Sequence, residues 1–206
     1  MVNSYVALGD SFTAGNGIDP GRRWPDLLAS ELGGDREDFE YLNLARDGAT
    51  SLEVESTVGP AIDLEPDLVT LVCGANDVLL STRPDIAGFE SRFDGMLKRL
   101  KDGIPSARVL VSNYPSSWQM EGLRPRTLKR LQTGMDALNR VIVDVALTNA
   151  VACLDVTEHP GVREPGNFDA DGLHPSVLGH RRAASEYSRA LTRHFGINST
   201  PRRITA

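Results

Sequence analysis

The sequence predicts an α/β protein: a three-layer α/β/α sandwich around a five-stranded parallel sheet, with a flavodoxin-like arrangement. Short apolar runs rich in Val and Leu alternate with longer segments of helical period, which is typical of repeated strand, helix, strand units. Glycines and polar residues follow the first three apolar runs. Because the carboxyl ends of parallel strands meet at one edge of the sheet, where ligands bind, these residues are expected to share that edge.

The apolar runs predict five strands, at residues 4–8, 40–43, 67–73, 107–112 and 150–154. The helical pattern predicts five helices, at residues 24–32, roughly 52–58, 86–100, 127–146 and 177–195. The pair Gly33-Gly34 is expected to end the first helix, and Gly103 followed by Pro105 the third. Pro175 is expected in the first turn of the last helix, where proline is well tolerated.

Both cysteines, Cys73 and Cys153, lie in apolar runs, where a free thiol behaves as a small hydrophobic group. The sheet order expected for this fold places the third and fifth strands on either side of the fourth. Such strands are roughly 10 Å apart, whereas the Cβ atoms of a disulfide are only about 4 Å apart. The sequence therefore predicts two free thiols, and neither has the spacing of a metal ligand.

The length of 206 residues suits one compact domain, predicted over residues 1–197, followed by a polar tail at 198–206 that is expected to be disordered. The chain has 22 basic and 28 acidic residues, a formal charge of -6, and no block of Lys or Arg that could follow a phosphate backbone. Nucleic acid is therefore not an expected partner.

The N-terminus has neither a basic segment nor an apolar segment of signal-peptide length, and it leads directly into the first predicted strand. No other apolar stretch is long enough to span a bilayer. These features predict a cytoplasmic protein without a transmembrane segment.

The tripeptide Gly9-Asp10-Ser11 follows the first predicted strand. A serine in a turn at a strand end can present its hydroxyl to a cleft while its backbone N–H points into the same space. A nucleophilic serine also needs a base, a group that orients the base, and hydrogen-bond donors for the oxyanion. The alternative interpretation of the tripeptide alone is ordinary turn chemistry.

The candidate base is His174, in the segment DGLHP at residues 171–175. Asp171 lies three residues before the imidazole, and Gly172 lets the backbone bend between them. An aspartate in this position can accept a hydrogen bond from one ring nitrogen and leave the other to face Ser11. The alternative is a helix-entry loop in which Asp171 caps locally and His174 is a surface residue.

The candidate oxyanion donors are Gly48, with a backbone N–H free of side-chain obstruction, and Asn76, with its side-chain amide. Taken singly, each has a simpler interpretation, as a turn glycine and a loop asparagine. The order of the residues adds weight, because serine, glycine and asparagine follow strands one, two and three, and histidine precedes the last helix.

These residues resemble the four consensus blocks of the SGNH/GDSL hydrolases. The matching segments are ALGDSFTAG at 7–15, NLARDGAT at 43–50, GAND at 74–77 and DGLHP at 171–175. The resemblance implies that Ser11 is the nucleophile, His174 the base and Asp171 the group that orients the base. It also implies that Ser11, Gly48 and Asn76 form the oxyanion hole, that the fold is the SGNH hydrolase fold, and that no metal or organic cofactor is needed.

Two residues near the serine depart from related patterns. Thr13 stands where the nucleophile elbow of α/β-hydrolases has its second glycine, which points away from that larger fold. The residue after the serine is Phe12, where the family motif usually has leucine. This change removes no catalytic group.

Other polar residues receive structural interpretations. His180 is expected to be a packed or capping residue of the last helix, and neither His159 nor His194 shows a partner pattern. Asp169 is less suitable than Asp171 because it is five residues from His174. Asp77 is expected to brace the loop that aims Asn76, and Asp10 to hold the turn that carries Ser11.

The segment 114–123, after the fourth strand, is longer than a minimal connection and carries Trp118, Met120 and Leu123. It could line or cover an acyl pocket, or its apolar side chains could complete the core.

The leading functional hypothesis is hydrolysis of a small-molecule ester or thioester through an acyl-serine intermediate. An acyltransferase would use the same residues, with an alcohol or amine in place of water. A flavodoxin-like binding domain is the alternative from another class, and it would need phosphate-binding glycines or an acidic metal cluster that the strand ends do not supply.

Overall fold

A computed structural model describes residues 2–116 and 120–198 of the chain. Its sheet contains β1 (Ser4–Gly9), β2 (Glu40–Asn43), β3 (Leu68–Val72), β4 (Arg108–Ser112) and β5 (Ala152–Leu154). All neighbouring strands are parallel, and the order is β2-β1-β3-β4-β5. The predicted parallel α/β fold is confirmed, with each predicted strand present to within two residues at either end.

Seven α-helices accompany the sheet in the described residues: α1 (Ser11–Ala14), α2 (Trp24–Gly33), α3 (Ser51–Asp63), α4 (Ala75–Leu79), α5 (Ile86–Gly103), α6 (Pro125–Thr148) and α7 (Val177–Phe195). Helices α2 and α7 pack together in one layer, and α3, α5 and α6 pack side by side in the other. All five residues of β3 are buried between these layers, as expected for a central parallel strand covered on both faces. None of the helices in the described part of the chain is long and apolar enough to cross a membrane.

The structure corrects two predicted helix ends. Helix α3 was expected to stop at residue 58, but it continues through Pro60 to Asp63. Ala61 is fully buried and Ile62 lies against Gly103 of α5, so packing offsets the backbone hydrogen bond that Pro60 cannot make. Pro175 is not in the first turn of α7, because Ser176 is the N-cap and Pro175 pairs with Phe168 in an isolated bridge.

The two cysteines are free thiols, as predicted. Cys73 directly follows β3 and Cys153 lies in β5, so that β4 separates them. Burial raises the pKa of the Cys153 thiol to about 12 and also raises that of Cys73, which keeps both thiols protonated. The tail predicted from residue 198 lies, from residue 199 onward, outside the described residues, and the domain boundary at 197 stays a prediction.

His180 joins the two helices of one layer. Its ring is fully buried, and Nδ1 accepts a hydrogen bond from the backbone N–H of Trp24, the first residue of α2, at 3.1 Å. The Trp24 ring stacks on Tyr187 of α7 at a centroid distance of 3.9 Å. The prediction that His180 is a packed and capping residue is confirmed, since it satisfies one of the N–H groups that a helix start leaves without an intrahelical partner.

We expect protonation of His180 to lower the free energy of unfolding at acidic pH. Burial lowers the pKa of this imidazole from 6.5 to about 4, because a charged ring would be desolvated and Nδ1 could no longer accept from Trp24. The unfolded chain therefore binds the proton first, and stability is lost as the pH falls from 6.5 to about 4, by up to about 3 kcal/mol. Urea unfolding across this range should show a smaller loss in His180→Gln, whereas the exposed His194→Gln should behave like wild type. If the free energy of unfolding fell equally with pH in wild type, His180→Gln and His194→Gln, the role given to His180 would be contradicted.

Candidate active site

Ser11 is the first residue of α1, immediately after the end of β1. Gly9 makes this sharp turn possible, because its φ is +156° and a Cβ there would lie 2.4 Å from the carbonyl oxygen of Val72. As the first residue of a helix, Ser11 has a backbone N–H without an intrahelical acceptor. The tight turn therefore presents both the hydroxyl and the N–H of Ser11 at the carboxyl edge of the sheet.

Asp10 holds this turn in place, as the sequence predicts. It is completely buried, and its Oδ1 accepts from the N–H of Phe12 at 3.1 Å while its Oδ2 accepts from the hydroxyl of Tyr114 at 2.6 Å. Burial raises the pKa of this carboxyl group to about 7, against the opposing effect of the two hydrogen bonds. Asp10 is thus a local N-cap that also attaches the serine turn to the loop after β4.

His174 lies between Ser11 and Asp171. Its Nε2 is 3.0 Å from Ser11 Oγ, and its Nδ1 is 2.5 Å from Asp171 Oδ2. The other oxygen, Asp171 Oδ1, accepts from the backbone N–H groups of Leu173 and of His174 itself, both at 2.9 Å. Gly172 has a φ of +66°, which lets the chain fold back between the aspartate and the imidazole.

The surroundings of Asp171 favour its charged form. Partial burial raises its pKa, but the hydrogen bonds from the His174 ring and from the two backbone N–H groups outweigh burial and hold the pKa below its usual value. The carboxylate therefore accepts a hydrogen bond from Nδ1–H and leaves Nε2 as an acceptor for the Ser11 hydroxyl. Asp169 does not approach the ring, because its carboxylate accepts from the N–H of Ala170 instead.

One candidate oxyanion donor lies in a loop and the other in the short helix α4. Gly48, between β2 and α3, has a φ of +72° and open space around its Cα. Asn76 is the second residue of α4, is 7% exposed, and donates through Nδ2 to the carbonyl oxygen of Ala49 at 3.0 Å. An amide nitrogen carries two hydrogens, so this contact orients the side chain and leaves the second hydrogen for an oxyanion.

A polar network beside these donors includes two residues that the sequence analysis did not identify. Asp77 accepts from the backbone N–H and the hydroxyl of Ser51, at 2.7 and 2.6 Å, and from Arg92 at 3.2 Å. The expectation that Asp77 braces this region is confirmed. Nothing in the local sequence signals Arg92, since it lies in the middle of α5 and reaches the network only through the tertiary fold.

An apolar cavity of about 140 Å³ lies next to the site. Its lining includes Phe12, Tyr114, Pro115, Val162 and Phe168. The Phe12 ring stands 5.8 Å from the His174 ring and 5.1 Å, edge to face, from Tyr114. Phe12, the residue after Ser11, therefore forms part of the wall between the imidazole and the cavity.

The described residues of the segment 114–123 divide between the cavity and the core. Tyr114 and Pro115 line the cavity, whereas Met120 and Leu123 are partly buried against the core. Trp118 lies outside the described residues. His159, which also lines the cavity, caps a 3₁₀ helix by accepting from Gly161 N–H at 3.1 Å, and its Nε2 lies 3.4 Å from Glu186 Oε1.

Comparison with known proteins places this geometry in a family. The model of the GDSL-like lipase/acylhydrolase family matches residues 7–182. Esterase TesA of Pseudomonas aeruginosa is 25% identical over 181 residues, which cover 87% of this chain and 83% of that protein.

Solved structures share the fold. The lipase/acylhydrolase from Enterococcus faecalis matches with a TM-score of 0.73 at 22% identity, over 98% of this chain and 99% of that one. The psychrotrophic esterase EstA from Pseudoalteromonas sp. matches with a TM-score of 0.74 at 16% identity, over 95% of this chain and 100% of that one. With a family match that extends from the serine turn to beyond His174, the chain belongs to the GDSL-like lipase/acylhydrolase (SGNH/GDSL) family.

Proposed function

We propose that this protein hydrolyses a carboxylic ester or thioester through an acyl-Ser11 intermediate. Family membership makes the chain a serine ester hydrolase. The observation that carries the finer proposal is the continuous contact from Ser11 Oγ to His174 Nε2, at 3.0 Å, and from His174 Nδ1 to Asp171, at 2.5 Å. This is the arrangement that a serine needs in order to lose its proton as it attacks a carbonyl.

In the first half of the reaction, Ser11 Oγ bonds to the carbonyl carbon while His174 Nε2 takes the hydroxyl proton. The carbonyl oxygen becomes an oxyanion, for which the N–H groups of Ser11 and Gly48 and the amide of Asn76 are the proposed donors. The bond to the leaving group then breaks, and His174 gives the proton to the departing oxygen or sulfur. The product of this half is the acyl-enzyme.

In the second half, His174 takes a proton from water as the water oxygen attacks the acyl-enzyme. The same donors stabilise the second oxyanion. Its collapse breaks the bond to Ser11 Oγ, and the imidazole returns the proton to the serine. The carboxylic acid leaves, and Asp171 stabilises the imidazolium in both halves.

The cavity beside Phe12 supports a substrate with an apolar part. The walls of this cavity are mostly apolar and include Phe12, which directly follows Ser11. We therefore infer that the apolar part of the substrate packs against Phe12 in this cavity.

Labelling with an alkyl phosphonate tests the proposal. One phosphonate per chain is expected on the peptide that contains Ser11, with no label in Ser11→Ala, because the phosphonate bonds to the activated oxygen. The EstA relative was solved in a form inhibited by monoethylphosphonate, which supports the choice of reagent. A panel of nitrophenyl esters and acyl thioesters then measures the preferred acyl group.

The same panel separates hydrolysis from acyl transfer. With a primary alcohol present, hydrolysis predicts mostly free acid, whereas an acyltransferase would release mostly the new ester. Failure of the phosphonate to label Ser11 would contradict both versions.

A further inference from the structure

We propose that Ser51 and Arg92 are positioning residues. They act through Asp77 to hold the loop that carries Gly48 in a fixed position relative to helix α4, which carries Asn76. This inference rests on the proposed function, because it assigns the two residues a role in aiming Gly48 and Asn76. Neither residue belongs to a motif that the sequence analysis singled out.

Hydrogen bonds join the Gly48 loop and the start of α3 to helix α4. The loop that carries Gly48 runs directly into Ser51, the first residue of α3. From the other side, Asn76 Nδ2 donates to Ala49 O at 3.0 Å, and Asp77 Oδ2 accepts from Ser51 N–H at 2.7 Å. Asn76 and Asp77, which are consecutive in α4, thus bind the last part of the Gly48 loop and the first residue of α3.

Arg92 completes the connection from α5. Its Nε donates to Ser51 Oγ at 2.9 Å, and its Nη2 donates to Asp77 Oδ1 at 3.2 Å. Ser51 Oγ in turn donates its single proton to Asp77 Oδ1 at 2.6 Å, so the hydroxyl both accepts and donates. The planar guanidinium fork can make both contacts at once, which an ammonium group cannot do with the same geometry.

The network is shielded from water. Ser51 is fully buried, and the side chains of Asp77 and Arg92 are only 10% and 28% exposed. Hydrogen bonds in such surroundings are stronger and fix geometry better than surface ion pairs do. Because a productive donor lies about 2.7 to 3.1 Å from the oxyanion, which is a narrow range, loosening this brace should weaken catalysis more than folding.

A matched control lies on the same two helices. Arg99 of α5 pairs with Glu55 of α3 at 3.9 Å, and the arginine is 49% exposed. The Arg99–Glu55 ion pair therefore links α5 to α3 without contacting the Gly48 loop or α4. Replacing each arginine by methionine keeps an unbranched apolar side chain that reaches about as far as Nε, and it removes the same guanidinium charge in both variants.

The test is a double-mutant cycle on the full-length protein with a nitrophenyl ester. Asn76→Ala is expected to lower kcat about 100- to 1,000-fold. Arg92→Met should lower kcat about 10- to 100-fold at unchanged KM, as is typical of a misplaced catalytic group. Its loss should be smaller in the Asn76→Ala background, because one of the two donors that it aims is already gone. Arg92→Lys should restore part of the rate, and Arg99→Met should match wild type.

Several results would overturn the positioning role. These are a kcat in Arg92→Met equal to that of Arg99→Met, equal losses in both Asn76 backgrounds, or a raised KM with kcat preserved. If Arg92→Met fails to fold by circular dichroism, Ser51→Ala supplies the same cycle with a neutral truncation. An unchanged kcat in Asn76→Ala would contradict both the proposed oxyanion role and this inference. A kcat that falls in Asn76→Ala but stays at the wild-type value in Arg92→Met and Ser51→Ala would overturn only the positioning role.

Discussion

Ser11→Ala, His174→Ala and the double variant are expected to show the same residual esterase rate, about a millionfold below wild type. Ser11 Oγ and His174 Nε2 lie 3.0 Å apart, so each acts only through the other. Without the hydroxyl there is no acyl-enzyme for the imidazole to assist, and without the imidazole the hydroxyl remains a poor nucleophile at neutral pH. Residual activity comes from binding and the oxyanion donors, which all three variants retain.

Single-turnover kinetics with a nitrophenyl ester would measure these rates, after purification that removes host esterases. The exposed residues Ser56 and His194 supply matched controls, and Ser56→Ala and His194→Ala should retain wild-type turnover. Losses that multiply in the double variant would mean that the two residues act independently. Full activity in Ser11→Ala would contradict the nucleophile assignment.

The fold could be predicted because its signals are local and repeated. A buried parallel strand such as β3 reads as a continuous apolar run, and α7 has helical periodicity over its whole length from Val177 to Phe195. Helices α1 and α4 escaped prediction because four or five residues are too few to show a period. These two short helices carry Ser11 and Asn76, so the exact presentation of both side chains could not be read from the sequence.

The candidate site divides in the same way. Asp171 and His174 could be paired from sequence because only two residues separate them and one of these is Gly172, and the structure places the two side chains in contact. Arg92 could not be connected to Asp77, since it lies fifteen positions further along the chain, in a different helix, and only packing brings the two side chains together. Contacts between residues that are close in the chain leave a pattern in the sequence, whereas contacts between separate helices do not.

The two oxygens of Asp171 have different partners, and this asymmetry determines what an amide would do in its place. Oδ1 accepts from two backbone N–H groups, both at 2.9 Å, and only Oδ2 faces His174 Nδ1. In Asp171→Asn the amide oxygen is expected at the Oδ1 position, because the NH₂ group cannot accept from backbone donors. The NH₂ group then faces Nδ1 and favours the tautomer whose proton lies on Nε2.

Asp171→Asn is therefore expected to lower kcat about ten-thousandfold, as the corresponding change does in serine proteases, and to be milder than loss of Ser11 or His174. An Nε2 that already carries a proton cannot take one from Ser11, although the ring remains in place.

Asp169→Asn is the matched control, because the Asp169 carboxylate accepts from the N–H of Ala170 and does not contact the ring. The kcat of Asp169→Asn should therefore stay near wild type. Nitrophenyl ester turnover measures both variants, and a large loss in Asp169→Asn with a small one in Asp171→Asn would reverse the assignment. In Asp171→Ala no amide enforces the wrong tautomer, so its rate should equal or exceed that of Asp171→Asn, which attributes the loss to proton placement.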